Sequence, residues 1–141
     1  KVKELLASSY NYCKKEIVGL FEQGVTSCSL TLDLWTSRNR TGYLGITCSF
    51  VNIQFELCEA TLLLAIEFLK YSHTTSENIV DCLNQIIKKW NLDGKIFTIT
   101  TDNGSNMVKA GKPLKDSYTC FPCAAHTLQL VEGKGLIPQK Y

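Results

Sequence analysis

Through the first two dozen positions the apolar residues recur at helical spacing. Val2, Leu5, Leu6, Tyr12, Cys13, Ile17, Leu20 and Phe21 define one stripe, and Gly24 closes it. From Cys28 to Trp35 the period falls to two. Leu30, Leu32 and Leu34 take one face, Ser29, Thr31 and Asp33 the other, as a half-buried strand requires. Residues 38–42 read as a loop, Tyr43–Val51 as a second strand and Phe55–Leu64 as a third, giving an antiparallel meander over 28–64. Thr74-Thr75-Ser76-Glu77 has the spacing of a capping box, with Thr74 as cap, and predicts a helix over 74–90. Ile79, Leu83, Ile86 and Trp90 share its apolar face. Asn91–Gly94 is turn chemistry, and 95–102 alternates again as a fourth strand. A helical crossover normally returns the chain parallel to an earlier strand, so the fourth strand is expected beside the first. The pattern is that of an α/β domain.

Composition narrows the possibilities. A chain of 141 residues, 45% hydrophobic, fits a single domain with an ordinary packed core rather than a disordered segment. A formal charge of +2 does not by itself indicate a nucleic-acid partner, so any basic surface must come from local clustering. The seven cysteines are an odd number, and Cys28, Cys48, Cys58 and Cys82 sit inside apolar runs. That suits reduced thiols in an intracellular reducing compartment better than a disulfide framework. No stretch reaches the roughly 18 uninterrupted apolar residues of a membrane span. The chain begins at Lys1 rather than Met, and is expected to be a piece of something longer.

Two tripeptides carry the candidate chemistry. Thr31-Leu32-Asp33 and Thr100-Thr101-Asp102 each set a carboxylate two residues after a threonine, near the C-terminal end of a strand. On adjacent parallel strands, about 4.8 Å apart, both carboxylates reach one cavity. Carboxylates that close repel unless a cation lies between them, and hard oxygen ligands favour Mg²⁺ or Mn²⁺. The plainer alternative is that both aspartates only begin loops.

Three blocks then acquire a common meaning. They are Leu30-Thr31-Leu32-Asp33-Leu34-Trp35-Thr36-Ser37, Thr100-Thr101-Asp102-Asn103-Gly104-Ser105-Asn106-Met107, and Cys123-Ala124-Ala125-His126-Thr127-Leu128-Gln129-Leu130. In this order they resemble the hAT transposase superfamily, and more narrowly its zinc-finger BED domain-containing, RICESLEEPER-like group, from about Leu30 to Leu136. The resemblance implies a ribonuclease H-like fold: a mixed five-stranded sheet of order 3-2-1-4-5, strand 2 antiparallel, flanked by helices. A short helix over 105–110 and a short strand and helix over 118–134 complete residues 1–141 as a single partial domain. The resemblance also implies metal-dependent DNA strand cleavage and transfer at a DDE-type site. Asp33 matches the first acidic residue and Asp102 the second. The third, a glutamate, follows a helical insertion in the family. Neither Asp116 nor Glu132 stands in a matching segment, so the core is expected to be truncated before the insertion and the last catalytic helix. This chain alone should therefore hold Mg²⁺ or Mn²⁺ weakly and cleave nothing. Gly104 and Gln129 depart from the alanine and asparagine more usual in the family.

Cys123 and His126 match the family's Cys-x-x-His motif near the active site. His126 could donate to a DNA phosphate, or Cys123 could simply pack and His126 make an ordinary hydrogen bond. Cys120, Cys123 and His126 form a run of zinc-like spacing, but structural zinc needs four ligands and no fourth is evident. Glu77 reads as a capping residue rather than a third carboxylate. Arg38 and Arg40 follow the first aspartate, and Lys109, Lys112 and Lys115 the second. All five are candidates for contacts to the DNA backbone, the alternative being ordinary solvated charge. Trp35 and Trp90 read as packing residues. The resemblance further implies nuclear residence and a homo-oligomer built through regions outside this chain. A domesticated, non-catalytic DNA- or protein-binding relative is the other reading.

Overall fold

The computed structural model describes residues 1–39, 41–57, 62–69 and 75–135, with side chains described to residue 132. The order of elements is α1 (Val2–Gly24), β1 (Val25–Thr36), β2 (Gly42–Asn52), β3 (Leu62–Leu69), α2 (Ser76–Lys89), β4 (Ile96–Thr101), α3 (Ser105–Leu114), β5 (Thr119–Pro122) and α4 (Ala124–Gly135). The strands form one sheet of order β3-β2-β1-β4-β5. Strand β2 is antiparallel to both β1 and β3, whereas β4 runs parallel to β1 and β5 parallel to β4. This is the mixed sheet of a ribonuclease H-like fold, with the helical crossover α2 returning the chain beside β1 as the periodicity requires.

One face of the sheet is covered. Leu30 and Leu32 of β1, Leu44, Ile46 and Cys48 of β2, and Ile99 of β4 pack against Ile79, Leu83, Ile86 and Ile87 of α2 and Met107, Ala110 and Leu114 of α3. Leu30 and Leu32 are almost fully buried, each worth about 1.5–3 kcal/mol. Cys28 and Cys48, diagonal across β1 and β2, join this layer, and burial with a hydrogen bond between the two thiols keeps Cys48 protonated. The other face carries Ser29, Thr31, Asp33 and Trp35 of β1. Trp35, Ile66, Phe68 and Phe121 are exposed there. No helix is long and apolar enough to cross a membrane among the described residues.

Two sequence expectations are corrected. The third strand runs from Leu62 to Leu69, not from Phe55 to Leu64. Asn52 folds the chain into a turn, its Oδ1 accepting the N–H groups of Gln54 and Glu56, and Phe55 takes a positive φ of 62°. The apolar run after it has no alternation to mark where pairing begins. The cap of α2 is Thr75, whose hydroxyl accepts from Asn78 N, so the helix begins one residue later than a Thr74 cap would set it. Thr74 itself lies outside the described residues, as do Arg40, Cys58 and Leu136. Helix α1 forms over the range its periodicity predicts, and of its apolar stripe only Phe21 is buried, while Val2, Leu5, Leu6 and Tyr12 are 66–71% exposed. A helix of 23 residues is about 34 Å long, and only its last turns reach the sheet. There Lys95 donates to the carbonyls of Phe21 and Val25 and closes the α1–β1 junction.

Candidate active site

The register of β1 against β4 brings the two aspartates together. Thr31 lies opposite Thr100 and Leu32 opposite Thr101, so Asp33 and Asp102 are the next positions on neighbouring parallel strands. Register partners in a parallel pair point to the same face, and the 2.8 Å bond from the Thr98 hydroxyl to Ser29 Oγ shows this one turn of the pleat earlier. Asp33 is exposed and makes no hydrogen bond or ion pair among the described residues. Asp102 is half-buried, and its Oδ1 accepts the Gly104 N–H at 2.8 Å, two residues ahead of α3. Among the described residues Oδ2 has no hydrogen bond.

Close approach around the pair depends on two glycines. Gly45 lies opposite Asp33 on β2, and a Cβ there would stand 2.8 Å from Trp35 Cζ3. The Trp35 ring lies over this bare backbone and stacks on Tyr43, with centroids 5.7 Å apart and planes 17° from parallel. A Cβ at Gly104 would come 2.9 Å from Asp102 Oδ1, so the alanine more usual in the family would crowd the carboxylate in this conformation.

The β5–α4 junction is bonded to the loop that carries Asp102. Cys123 N donates to Thr101 O at 2.7 Å, and Asn103 Nδ2 donates to Thr127 Oγ1 at 2.8 Å. Cys123 directly precedes α4, whose first turn contains the half-buried His126. Asp33, Asp102, Cys123 and His126 thus lie towards the C-terminal ends of three neighbouring strands, β1, β4 and β5.

Against this geometry the comparisons with known proteins are specific. The family model described as ZBED1 RNase-like domain matches residues 31–123. The chain belongs to this ZBED1 RNase-like family. It is a relative of the hAT-type transposases. The tpeD protein of Talaromyces stipitatus, named as a transcriptional regulator, is 29% identical over 128 residues, covering 83% of this chain and 15% of that protein. Zinc finger BED domain-containing protein RICESLEEPER 2 of Oryza sativa is 28% identical over 95 residues, 67% of this chain and 13% of its own length. An AC transposase relative of Zea mays is 24% identical over 136 residues, 87% of this chain and 16% of its own. The chain thus spans a small fraction of these relatives. Among solved structures, the Drosophila P element transposase strand transfer complex aligns with a TM-score of 0.46 at 13% identity, over 83% of this chain and 32% of that one.

Within the ZBED1 RNase-like domain the basic residues fall into separate places. Arg38 is exposed in the β1–β2 loop, which is closed by Ser37 N to Thr41 O, at the same sheet end as Asp33. Lys115, the C-cap of α3, lines a cavity of about 200 Å³ with Asp102, Asn103, Met107, Cys120 and Phe121. Burial raises the Cys120 thiol, against a smaller opposing effect of Lys115. Lys109 and Lys112 stand on α3 itself rather than in a loop. They line a different cleft of about 510 Å³, facing Glu77 and Asp81 of α2. Glu77 belongs to this cleft and not to the aspartate pair. Its own backbone N–H, the Thr75 and Ser76 hydroxyls and Lys109 hold its carboxyl below the usual range.

Sequence reasoning missed two parts of this sheet end. The Asn103–Thr127 bond had no detectable signal, because it joins residues 24 apart whose meeting depends on β5 lying beside β4. Gly45 could have been noticed as a glycine inside a strand, which often marks close approach. As for metals, no group of three His, Cys, Asp or Glu side chains converges among the described residues. The hard oxygen donors that follow the Leu32–Thr101 pair are the Asp33 and Asp102 carboxylates.

Proposed function

We propose that this chain is the front portion of a hAT-type DNA transposase core, in which Asp33 and Asp102 would hold a Mg²⁺ or Mn²⁺ ion. The observation that supports this reading is the Leu32–Thr101 pairing, after which Asp33 and Asp102 are the next residues of two neighbouring parallel segments. The residues fit such an ion: among the described residues Asp33 has no partner and Asp102 has one oxygen without a hydrogen bond, Asp33 is exposed, and both are hard oxygen donors. When bound, a divalent ion supplies activation of the attacking oxygen and charge neutralisation at the scissile phosphate. Asp33 and Asp102 would bind and orient it, and His126, in the first turn of α4, would donate to a phosphate oxygen. In the full-length protein this chemistry is cleavage and transfer of DNA strands in the nucleus. With two carboxylates only, the 141-residue chain binds the metal weakly and does not cleave.

DNA contacts in this reading come first from Arg38, at the same sheet end as Asp33, and from Lys115, which lines one cavity with Asp102, and Arg40 adjoins Arg38 in sequence. Lys109 and Lys112 would add a more distant backbone contact through the α2–α3 cleft. The interaction is electrostatic and sequence-independent, so it weakens steeply with salt.

A Mn²⁺ titration followed by electron paramagnetic resonance tests the reading. Wild type should show one weak site, with a dissociation constant on the order of 10⁻⁴–10⁻³ M. Asp33→Asn and Asp102→Asn should each lose it, and supercoiled plasmid should remain uncut by wild type. Equal Mn²⁺ binding by all three proteins would remove the metal assignment. Plasmid cleavage by wild type that disappears in Asp33→Asn would instead overturn the claim that this chain is inactive. A domesticated, non-catalytic binding role is the second reading. It is favoured by the tpeD relative's name, and predicts salt-sensitive duplex binding unaffected by Asp33→Asn.

A further inference from the structure

The two strand-to-helix junctions at the aspartate end are bonded to each other through a single hydroxyl. Thr127 Oγ1 donates to Cys123 O at 2.9 Å and accepts from Asn103 Nδ2 at 2.8 Å. A hydroxyl has one proton, so once that proton is committed to Cys123 O the oxygen can only accept. The Asn103 side chain must therefore present its NH₂ group to Thr127 and turn its carbonyl oxygen away. A second bond, Cys123 N to Thr101 O, ties the same two junctions along the backbone. Thr101 and Asn103 flank Asp102, and Cys123 and Thr127 flank the turn that bears His126. Two bonds thus fix one turn of helix against one loop.

We propose that Asn103 and Thr127 are positioning residues, forming a clip that sets the His126-bearing turn of α4 against the Asp102 loop. This rests on the proposed metal site only for its functional meaning; the clip itself is a statement about the metal-free chain. Without it, Cys123 N to Thr101 O would be a single pivot. The first turn of α4 could rotate about that pivot and carry His126 away from whatever the aspartates hold. Leu128, Leu130 and Val131 of α4 are exposed.

The test uses the 141-residue chain labelled with ¹⁵N and with ¹³C in its histidines, as wild type, Asn103→Ala, Thr127→Val and Thr127→Ser. In the metal-free arm, amide exchange at Cys123 and Thr127 should quicken roughly two- to tenfold in Thr127→Val and Asn103→Ala, the range expected for one lost hydrogen bond. Thr127→Ser, which keeps the hydroxyl, should restore wild-type exchange. The rest of the amide spectrum should be unchanged, which separates loss of the clip from loss of the fold. In the Mn²⁺ arm, paramagnetic broadening of the His126 ring should fall by at least about twofold in Thr127→Val, with Mn²⁺ affinity held within about twofold, since both carboxylates remain. It should recover in Thr127→Ser. Wild-type exchange in Thr127→Val, or no recovery in Thr127→Ser, overturns the clip. A wild type that binds no Mn²⁺ removes the metal reading and leaves the exchange arm to decide the clip alone.

Discussion

Replacing Asp33 with asparagine should make the metal-free protein more stable, although it removes half of the proposed metal site. Neighbouring strands are about 4.8 Å apart, and Asp33 and Asp102 each directly follow the last register pair, Leu32–Thr101. Two like charges about 5 Å apart repel by ~0.8 kcal/mol in water and ~3 kcal/mol at an effective dielectric of about 20. Asp33 is exposed, so the lower limit governs, and about 0.5–1 kcal/mol should be recovered when its charge is removed. Nothing offsets that gain, because Asp33 makes no hydrogen bond or ion pair among the described residues. Asp102→Asn relieves the same repulsion but gains less. Its carboxylate accepts Gly104 N–H just ahead of α3, where negative charge is worth about 0.3–1 kcal/mol against the helix dipole. Asp33→Asn should therefore exceed Asp102→Asn in stability by roughly 0.5 kcal/mol. Urea unfolding followed by circular dichroism, at low salt and at about 0.5 M salt, measures the difference. The Asp33→Asn gain should shrink at high salt, whereas free Mn²⁺ at ten times its dissociation constant should add about 1.4 kcal/mol to wild type and nothing to either variant. A destabilised Asp33→Asn protein, or a gain indifferent to salt, would refute the convergence of the two carboxylates.

Gly45→Val should displace the Trp35 ring, since even a Cβ at this position falls 2.8 Å from Cζ3. Overpacking costs about 1–3 kcal/mol, eased here by the exposure of Trp35 and by the better strand propensity of valine. A net loss of about 1 kcal/mol is expected, with a weakened near-ultraviolet signal from the Trp35–Tyr43 stack; an unchanged spectrum would show that the ring does not lie over Gly45. At alkaline pH the chain should lose stability through its buried thiols. Cys82 is pushed up from 9.0 to about 11 by burial and by Glu67. Its thiol stays neutral in the fold while the unfolded chain ionises, so the contribution is intact below pH 9 and is lost as the pH rises towards 11. Urea midpoints in that window should fall more steeply in wild type than in Cys82→Ala, and equal slopes would exclude Cys82 as the source.

The helices and inner strands were readable because burial on one side leaves a period. Ile79, Leu83 and Ile86 recur at helical spacing and are buried in α2; Leu30 and Leu32 alternate with Thr31 and are buried in β1. The same logic failed for α1, whose apolar stripe is real in sequence yet exposed from Val2 to Tyr12. Periodicity reports which face a residue occupies, and carries no information about whether anything covers that face. It also failed for β3, where Leu62, Leu63, Leu64, Ala65 and Ile66 form an unbroken apolar run and the Asn52 turn sets the start of pairing from outside the strand.

Local sequence determined the chemistry available to this protein: two aspartates at strand ends, a Cys-x-x-His turn, and hydroxyl-rich strand faces. Those are properties of neighbouring residues and of short-range backbone preference. Only the tertiary structure decided which of them meet. Asp33 and Asp102 are 69 residues apart in number and come together because α2 returns β4 parallel to β1 in one register. Lys109 and Lys112 follow Asp102 in sequence yet turn into the α2–α3 cleft, because helix geometry carries them away from the sheet end. Pairing between distant strands is set by the packing of the whole core. A one-residue slip of β4 would put the second carboxylate on the opposite face.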